Sequence, residues 1–128
     1  MTDKDLLEAA AKAAGVPLLD WRDHWADYPD PAWRTAEREL WNPLTDDGDA
    51  LRLAVKLGLK VMPYPIYGVE KHSVIVSKRV PATDPESEVA YVGPECVEMY
   101  GIHPEEATRR AIVRAAAELA PREAVGAA

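Results

Sequence analysis

Leu6, Leu7, Ala10, Ala11, Ala13 and Ala14 recur at helical spacing, against a polar row of Lys4, Glu8 and Lys12. The pattern predicts a helix over Asp3–Ala14. Thr2 and Asp5 stand at capping-box spacing, and Gly15 and Pro17 close the segment. A second helical pattern runs from Asp47 to Gly58. Its polar residues Asp49, Arg52 and Lys56 fall within an arc of roughly 60° at about 100° per residue. Ala50, Leu51, Leu53, Ala54, Val55 and Leu57 fill the remainder. A helix with one polar stripe, rather than one apolar stripe, is expected to be covered on most sides. Truncating Leu51 or Leu53 to Ala would then cost about 2–5 kcal/mol. The entrance to this helix is written out. Pro43 stops anything earlier from running on, Thr45 or Asp46 can cap, and Asp46, Asp47 and Asp49 suit the positive end of the helix dipole. Gly58 supplies a left-handed stop.

Between these helices lie two less regular stretches. Residues 18–30 place Trp21, Trp25 and Tyr28 among Asp20, Asp23, Asp27 and Asp30, and read as an irregular turn region. Pro31 to Leu40 reads as a short helix, with Asp30 as cap, Pro31 in the first turn, and Trp33, Ala36 and Leu40 on one face. Past Gly58 the pattern changes to strands. Leu59 to Tyr64 is β-like, and Pro63 and Pro65 place it at an edge, because proline cannot donate to a ladder. His72 to Val80 contains Val74-Ile75-Val76, apolar on both alternate faces, as in a covered central strand. Pro81 to Ser87 is turn-rich, Glu88 to Gly93 reads as a third strand, and Cys96 to Met99 adds a little more. A last helix is predicted from Pro104 to Ala120. Its favourable i, i+4 pairs are Glu105–Arg109 and Glu106–Arg110, and its packing face is Ile112, Ala115, Ala116 and Leu119. The predicted class is α/β (α+β): a three-layer α-β-α sandwich whose short, mainly antiparallel sheet has three to four strands, with helices on both faces. One domain spans 1–120, and 121–128 form a frayed tail.

Composition supports one globular core in 128 residues, 48% of them hydrophobic. The single Cys96 rules out an intramolecular disulfide. No apolar run approaches a membrane span, and the first residues lack the basic start and apolar centre of a signal peptide. These features indicate the cytoplasm. The charge of −7 is concentrated in residues 1–50, which hold twelve acidic and five basic side chains against ten of each in 51–128. An acidic half disfavours nucleic acid, which needs Lys and Arg to displace counterions.

No catalytic set stands out, so the reading leans away from an enzyme, and no cofactor or metal is assigned. Asp46, Asp47 and Asp49 are carboxylates of the kind hard cations prefer. Their spacing fails the EF-hand pattern, and helix capping accounts for all three. Cys96 with His72 or His103 has the composition of a thiol nucleophile pair, yet a lone Cys beside Val97 and Met99 is more often a small buried hydrophobe. Arg109, Arg110 and Arg114 have Glu105, Glu106 and Glu118 nearby and read as a solvated face. The candidate contact surface is Trp21, His24, Trp25, Tyr28 and Trp33. Aromatic rings can stack a sugar or base, although a chain without Phe must also draw its core bulk from them.

The block Trp41-Asn-Pro-Leu-Thr-Asp-Asp-Gly-Asp-Ala-Leu-Arg-Leu-Ala54 resembles a segment of small tailed-phage and prophage proteins. The block Ala107-Thr-Arg-Arg-Ala-Ile-Val-Arg-Ala-Ala-Ala-Glu118 resembles their C-terminal helix. Together they resemble the phage ABA sandwich domain family, which implies an α-β-α arrangement and a phage or prophage accessory role in the bacterial host. It implies no activity and no catalytic residues. The leading expectation is a phage accessory protein that works by protein–protein contact with a host or phage protein. Two alternatives are carried beside it. One is a small ligand-binding domain or enzyme using the acidic, Trp-rich segment 18–41. The other is an acidic decoy of a host DNA-binding protein.

Overall fold

A computed structural model describes residues 2–26, 28–65, 72–80, 90–99 and 104–120. The first helix, α1, spans Asp3–Ala14 and starts as its sequence dictates. The Thr2 side chain accepts from the Asp5 N–H, while Thr2 donates its hydroxyl and backbone N–H to the Asp5 carboxylate. These bonds hold the Asp5 carboxyl below its ordinary pKa. Gly15, at φ 70°, closes the helix in the left-handed conformation.

Three short strands follow: β1 (Leu18–Arg22), β2 (Ala32–Thr35) and β3 (Leu40–Trp41), antiparallel in that order. Two readings of the sequence are corrected here. The 18–30 stretch contributes β1, and the helix expected over 31–40 is a β-hairpin. Trp33, Ala36 and Leu40 have helical spacing, but Trp33 instead sits between Trp21 and Trp41 in cross-strand register. The hairpin closes through Thr35 N–H to the Glu39 carbonyl (2.8 Å) and Arg38 N–H to the Thr35 carbonyl (2.8 Å), with the Thr35 hydroxyl accepting from Glu39 N–H. Asp20 and Arg34 add a cross-strand ion pair at 2.8 Å.

Arg38 occupies the left-handed region of this turn at φ 66°, where a Cβ costs about 1 kcal/mol or more. Arg38→Gly should therefore raise the unfolding free energy by about 0.5 kcal/mol, after the greater entropy of the unfolded glycine chain is offset. Urea denaturation followed by circular dichroism measures it, and a loss of stability would mean the Arg38 side chain contributes more than the turn strain costs.

Helix α2 (Asp47–Leu57) is capped by Asp46, which accepts from Asp49 N–H at 2.8 Å, and stops at Gly58, φ 66°. Beyond it β4 (Leu59–Pro65), β5 (His72–Val80) and β6 (Ala90–Met99) form a second antiparallel sheet in sequence order. β4 lies at its edge, as its prolines require, and β5 is central. The two strand fragments expected around Gly93 and Cys96 are one strand. The turn expected at 81–87, the tail from Pro121, Asp27 and His103 lie outside the described residues. Helix α3 spans Pro104–Glu118.

Among the described residues the result is an α+β sandwich of three helices and short antiparallel sheets, with the strands divided between two sheets where one was expected. Helix α3 contacts α1, α2 and all three strands of the second sheet. Small residues make this possible: Ala111, Val113, Ala115 and Ala116 of α3 are fully buried with Leu7, Ala10 and Ala11 of α1 and Val74 and Val76 of β5. Side chains of this size let helix axes and sheet approach closely, which retains dispersion contacts across the layer. Val74 and Val76 are buried while Ile75, on the alternate face, is half-buried.

Candidate interaction surface on the second helix

Helix α2 departs most from its expected environment. Its buried side is made by Asp49, Ala50, Leu53 and Ala54. Leu51 and Val55, one turn apart on the opposite side, are 65% and 72% exposed. The expectation that α2 is covered on most sides is therefore corrected. The apolar residues do surround the helix, but the fold covers only part of the circumference. Apolar area left in water forgoes about 25 cal/mol per Å² of transfer free energy, so two adjacent exposed aliphatics on a rigid helix carry a latent driving force for association.

Leu51 also borders a groove of about 380 Å³ between α2 and α3. Its walls are Ala50, Leu51, Ala54, Val61, Pro104 and Ile112, and Asp47, Glu105, Thr108 and Arg109 line its polar margin. The groove is held in shape by Arg109. Its Nε donates to the Leu44 carbonyl at 2.8 Å and its Nη1 pairs with Asp47 Oδ1 at 2.6 Å. This arrangement replaces the intrahelical Glu105–Arg109 pair expected from spacing. Arg110 likewise reaches Asp3 on α1, at 3.5 Å.

The acidic start of α2 is consumed by structure. Asp46 caps, Asp47 takes Arg109, and the Asp49 carboxylate accepts from Asn42 N–H (3.0 Å) and Arg52 Nη2 (2.7 Å). Asn42 in turn donates to the Pro31 carbonyl and accepts from Leu44 N–H, so the 41–46 turn is tied to the first sheet. The Asp49 contact lifts the Arg52 guanidinium above its ordinary pKa.

The candidate surface named from sequence is placed differently. Trp21 and Trp33 meet edge to face, centroids 5.8 Å apart. Trp33 is buried, donates its Nε1 to the Lys4 carbonyl at 3.3 Å and lies under the Lys4 ammonium. Trp25 donates to the Ala32 carbonyl at 3.1 Å and is flanked by Arg22 and Arg34. The Tyr28 hydroxyl bonds the Thr45 hydroxyl at 3.2 Å. His24 is exposed and stands apart from these contacts. The rings are thus spent on holding the first sheet to α1 and to the turn before α2. Among the described residues the acids Asp20 and Asp23 turn to separate partners. Asp20 pairs with Arg34 and Arg22, and Asp23 accepts from Trp21 Nε1. Cys96 pairs with Val76 in the β5–β6 register, and His72 lies four residues further along β5, about 13 Å away.

A second, more polar cleft of about 360 Å³ opens on the other side of α2, bordered by Thr35, Glu37, Glu39, Trp41, Asp49, Arg52 and Lys56. Two of its charges, Asp49 and Arg52, already pair with one another. Among the described residues no helix is long and apolar enough to cross a membrane. Sequence reasoning missed the α2 surface. The available signal was the breadth of its apolar arc, which marks a helix that needs more cover than one neighbour supplies. Comparison of the chain with protein-family models, with curated proteins and with solved structures returned no match.

Proposed function

We propose that this protein is a phage or prophage accessory protein of the ABA sandwich kind that acts in the host cytoplasm by protein–protein contact, through the exposed face of α2. The observation that carries the contact is the pair Leu51 and Val55, unburied on a well-capped helix beside an apolar groove. The phage assignment rests on the 41–54 and 107–118 blocks, which Arg109 joins through Leu44 and Asp47. Two observations lower the alternatives. Trp33 is buried under the Lys4 ammonium, Trp21 packs edge to face against it, and Trp25 is flanked by Arg22 and Arg34, which leaves little of a stacking platform. Asp3, Asp20 and Asp49 are paired with arginines, which lowers the free charge a DNA-mimicking decoy needs.

A photo-crosslinking residue at position 55, with the exposed aliphatic position 19 as control, tests the reading in bacterial cells. Leu19 is 54% exposed on β1, away from α2. A discrete adduct from position 55 and none from position 19 is expected. Equal or absent adducts at both positions would remove α2 as the contact surface.

A further inference from the structure

Helix α2 has shoulders of opposite charge. Taking 100° per residue, and measuring from the line that bisects Leu51 and Val55, Asp47 lies about 60° to one side and Arg52 about 80° to the other. Glu105 of α3 extends the acidic shoulder along the margin of the apolar groove, and Lys56 extends the basic one. Asp47, Arg52, Lys56 and Glu105 are all solvent-exposed. Asp47 shares one oxygen with Arg109, and Arg52 uses Nη2 toward Asp49 and Asp46, so both present remaining polar atoms outward. Val55 leans to the basic side of the seam and does not line its own chain's groove.

A surface of this kind is complementary to itself under one symmetry. A two-fold axis running parallel to α2 brings each helix's basic shoulder against the other's acidic shoulder. A two-fold perpendicular to α2, which makes the helices antiparallel, brings like shoulders together. We infer that the α2 face docks a second copy of this chain, with the two α2 helices parallel, Leu51 and Val55 forming the seam, Val55 directed toward the partner copy's groove, and Asp47 facing Arg52 of the other copy. The five-residue offset between Asp47 and Arg52 is the spacing at which charged flanks meet across parallel helix pairs. Opposite charges at the rim set orientation more than strength, and the apolar seam is short, so the equilibrium is concentration-dependent. The inference rests on α2 being the contact surface, and names what occupies it.

Sedimentation velocity across a concentration series tests it. The parent chain is expected to pass from monomer to dimer, and Leu51→Asp to raise the dissociation constant at least about tenfold. Arg52→Glu and Asp47→Arg should each weaken self-association, because each sets like charges across both flanks. An equimolar mixture of the two variant chains should dimerise again, since both flanks then carry opposite charges. The doubly substituted chain D47R/R52E should dimerise with itself. Recovery on mixing also shows that the single variants are folded. A parent chain that stays monomeric at millimolar concentration overturns the inference; a crosslink from position 55 to a different protein would then leave the contact surface itself standing. A dimer indifferent to Leu51→Asp, or single variants that weaken the dimer without recovery on mixing, overturns it as well.

Discussion

Leu53→Ala should lower the unfolding free energy by about 2–5 kcal/mol, while Leu51→Ala, two residues away on the same helix, should change it by no more than about 0.5 kcal/mol. Leu53 is 3% exposed and belongs to the main core cluster, so its truncation removes transfer free energy and leaves a void. It also borders the polar cleft, which lets the site relax and places the loss toward the lower end of the range. Leu51 already meets water, so shortening it gives up little, and alanine's better helix propensity offsets part of that. Urea denaturation at protein concentrations too low for self-association compares the two directly. Equal losses at the two positions would put the outer face of α2 back inside the fold and remove the basis for any contact there.

Trp33→Ala should be the more damaging change, at about 3–5 kcal/mol, a large share of the 5–15 kcal/mol typical of a domain. The ring is buried between Trp21 and Trp41 on neighbouring strands, packs edge to face on Trp21, and reaches α1 through its Nε1 bond to Lys4. Removing it detaches the first sheet from α1 along with the ring's own burial. Trp33→Phe keeps the apolar body and loses the N–H, so it should recover more than half of the loss. Thermal melting followed by far-ultraviolet circular dichroism reads both. An Ala variant as stable as the parent would release Trp33 from its structural duty and return it to the candidate binding surface.

These expectations track how much of the molecule is legible in its sequence. The three long helices are readable because their ends are coded locally. Thr2 with Asp5 and Asp46 with Gly58 each act within one turn of the backbone they cap, and Pro104 and Glu105 suit the first turn of α3. The β2–β3 hairpin is not readable in the same way. Ala, Arg and Glu in 32–39 favour helix locally, and the strand wins only because Trp21, Trp41 and Asp20 supply partners from outside the segment. Arg109 and Arg110 show the same limit, since sequence neighbours were at hand and the structure pairs them with Asp47 and Asp3 instead. For the candidate site the gap is of another kind. Periodicity tells which positions on α2 are apolar; it does not tell which of them the rest of this chain is long enough to cover.

The reach of Arg109 back to Leu44 and Asp47 also ties together segments far apart in the chain. Helix α3 touches α1, α2 and every strand of the second sheet, although all of them precede it in the sequence. Leu7 of α1 and Val76 of β5 meet in one buried cluster with Ala111, Val113, Ala115 and Ala116 of α3, so α3 is what joins α1 to the second sheet. Burying that cluster therefore needs long-range contacts made together, which slows folding relative to a chain whose contacts are local.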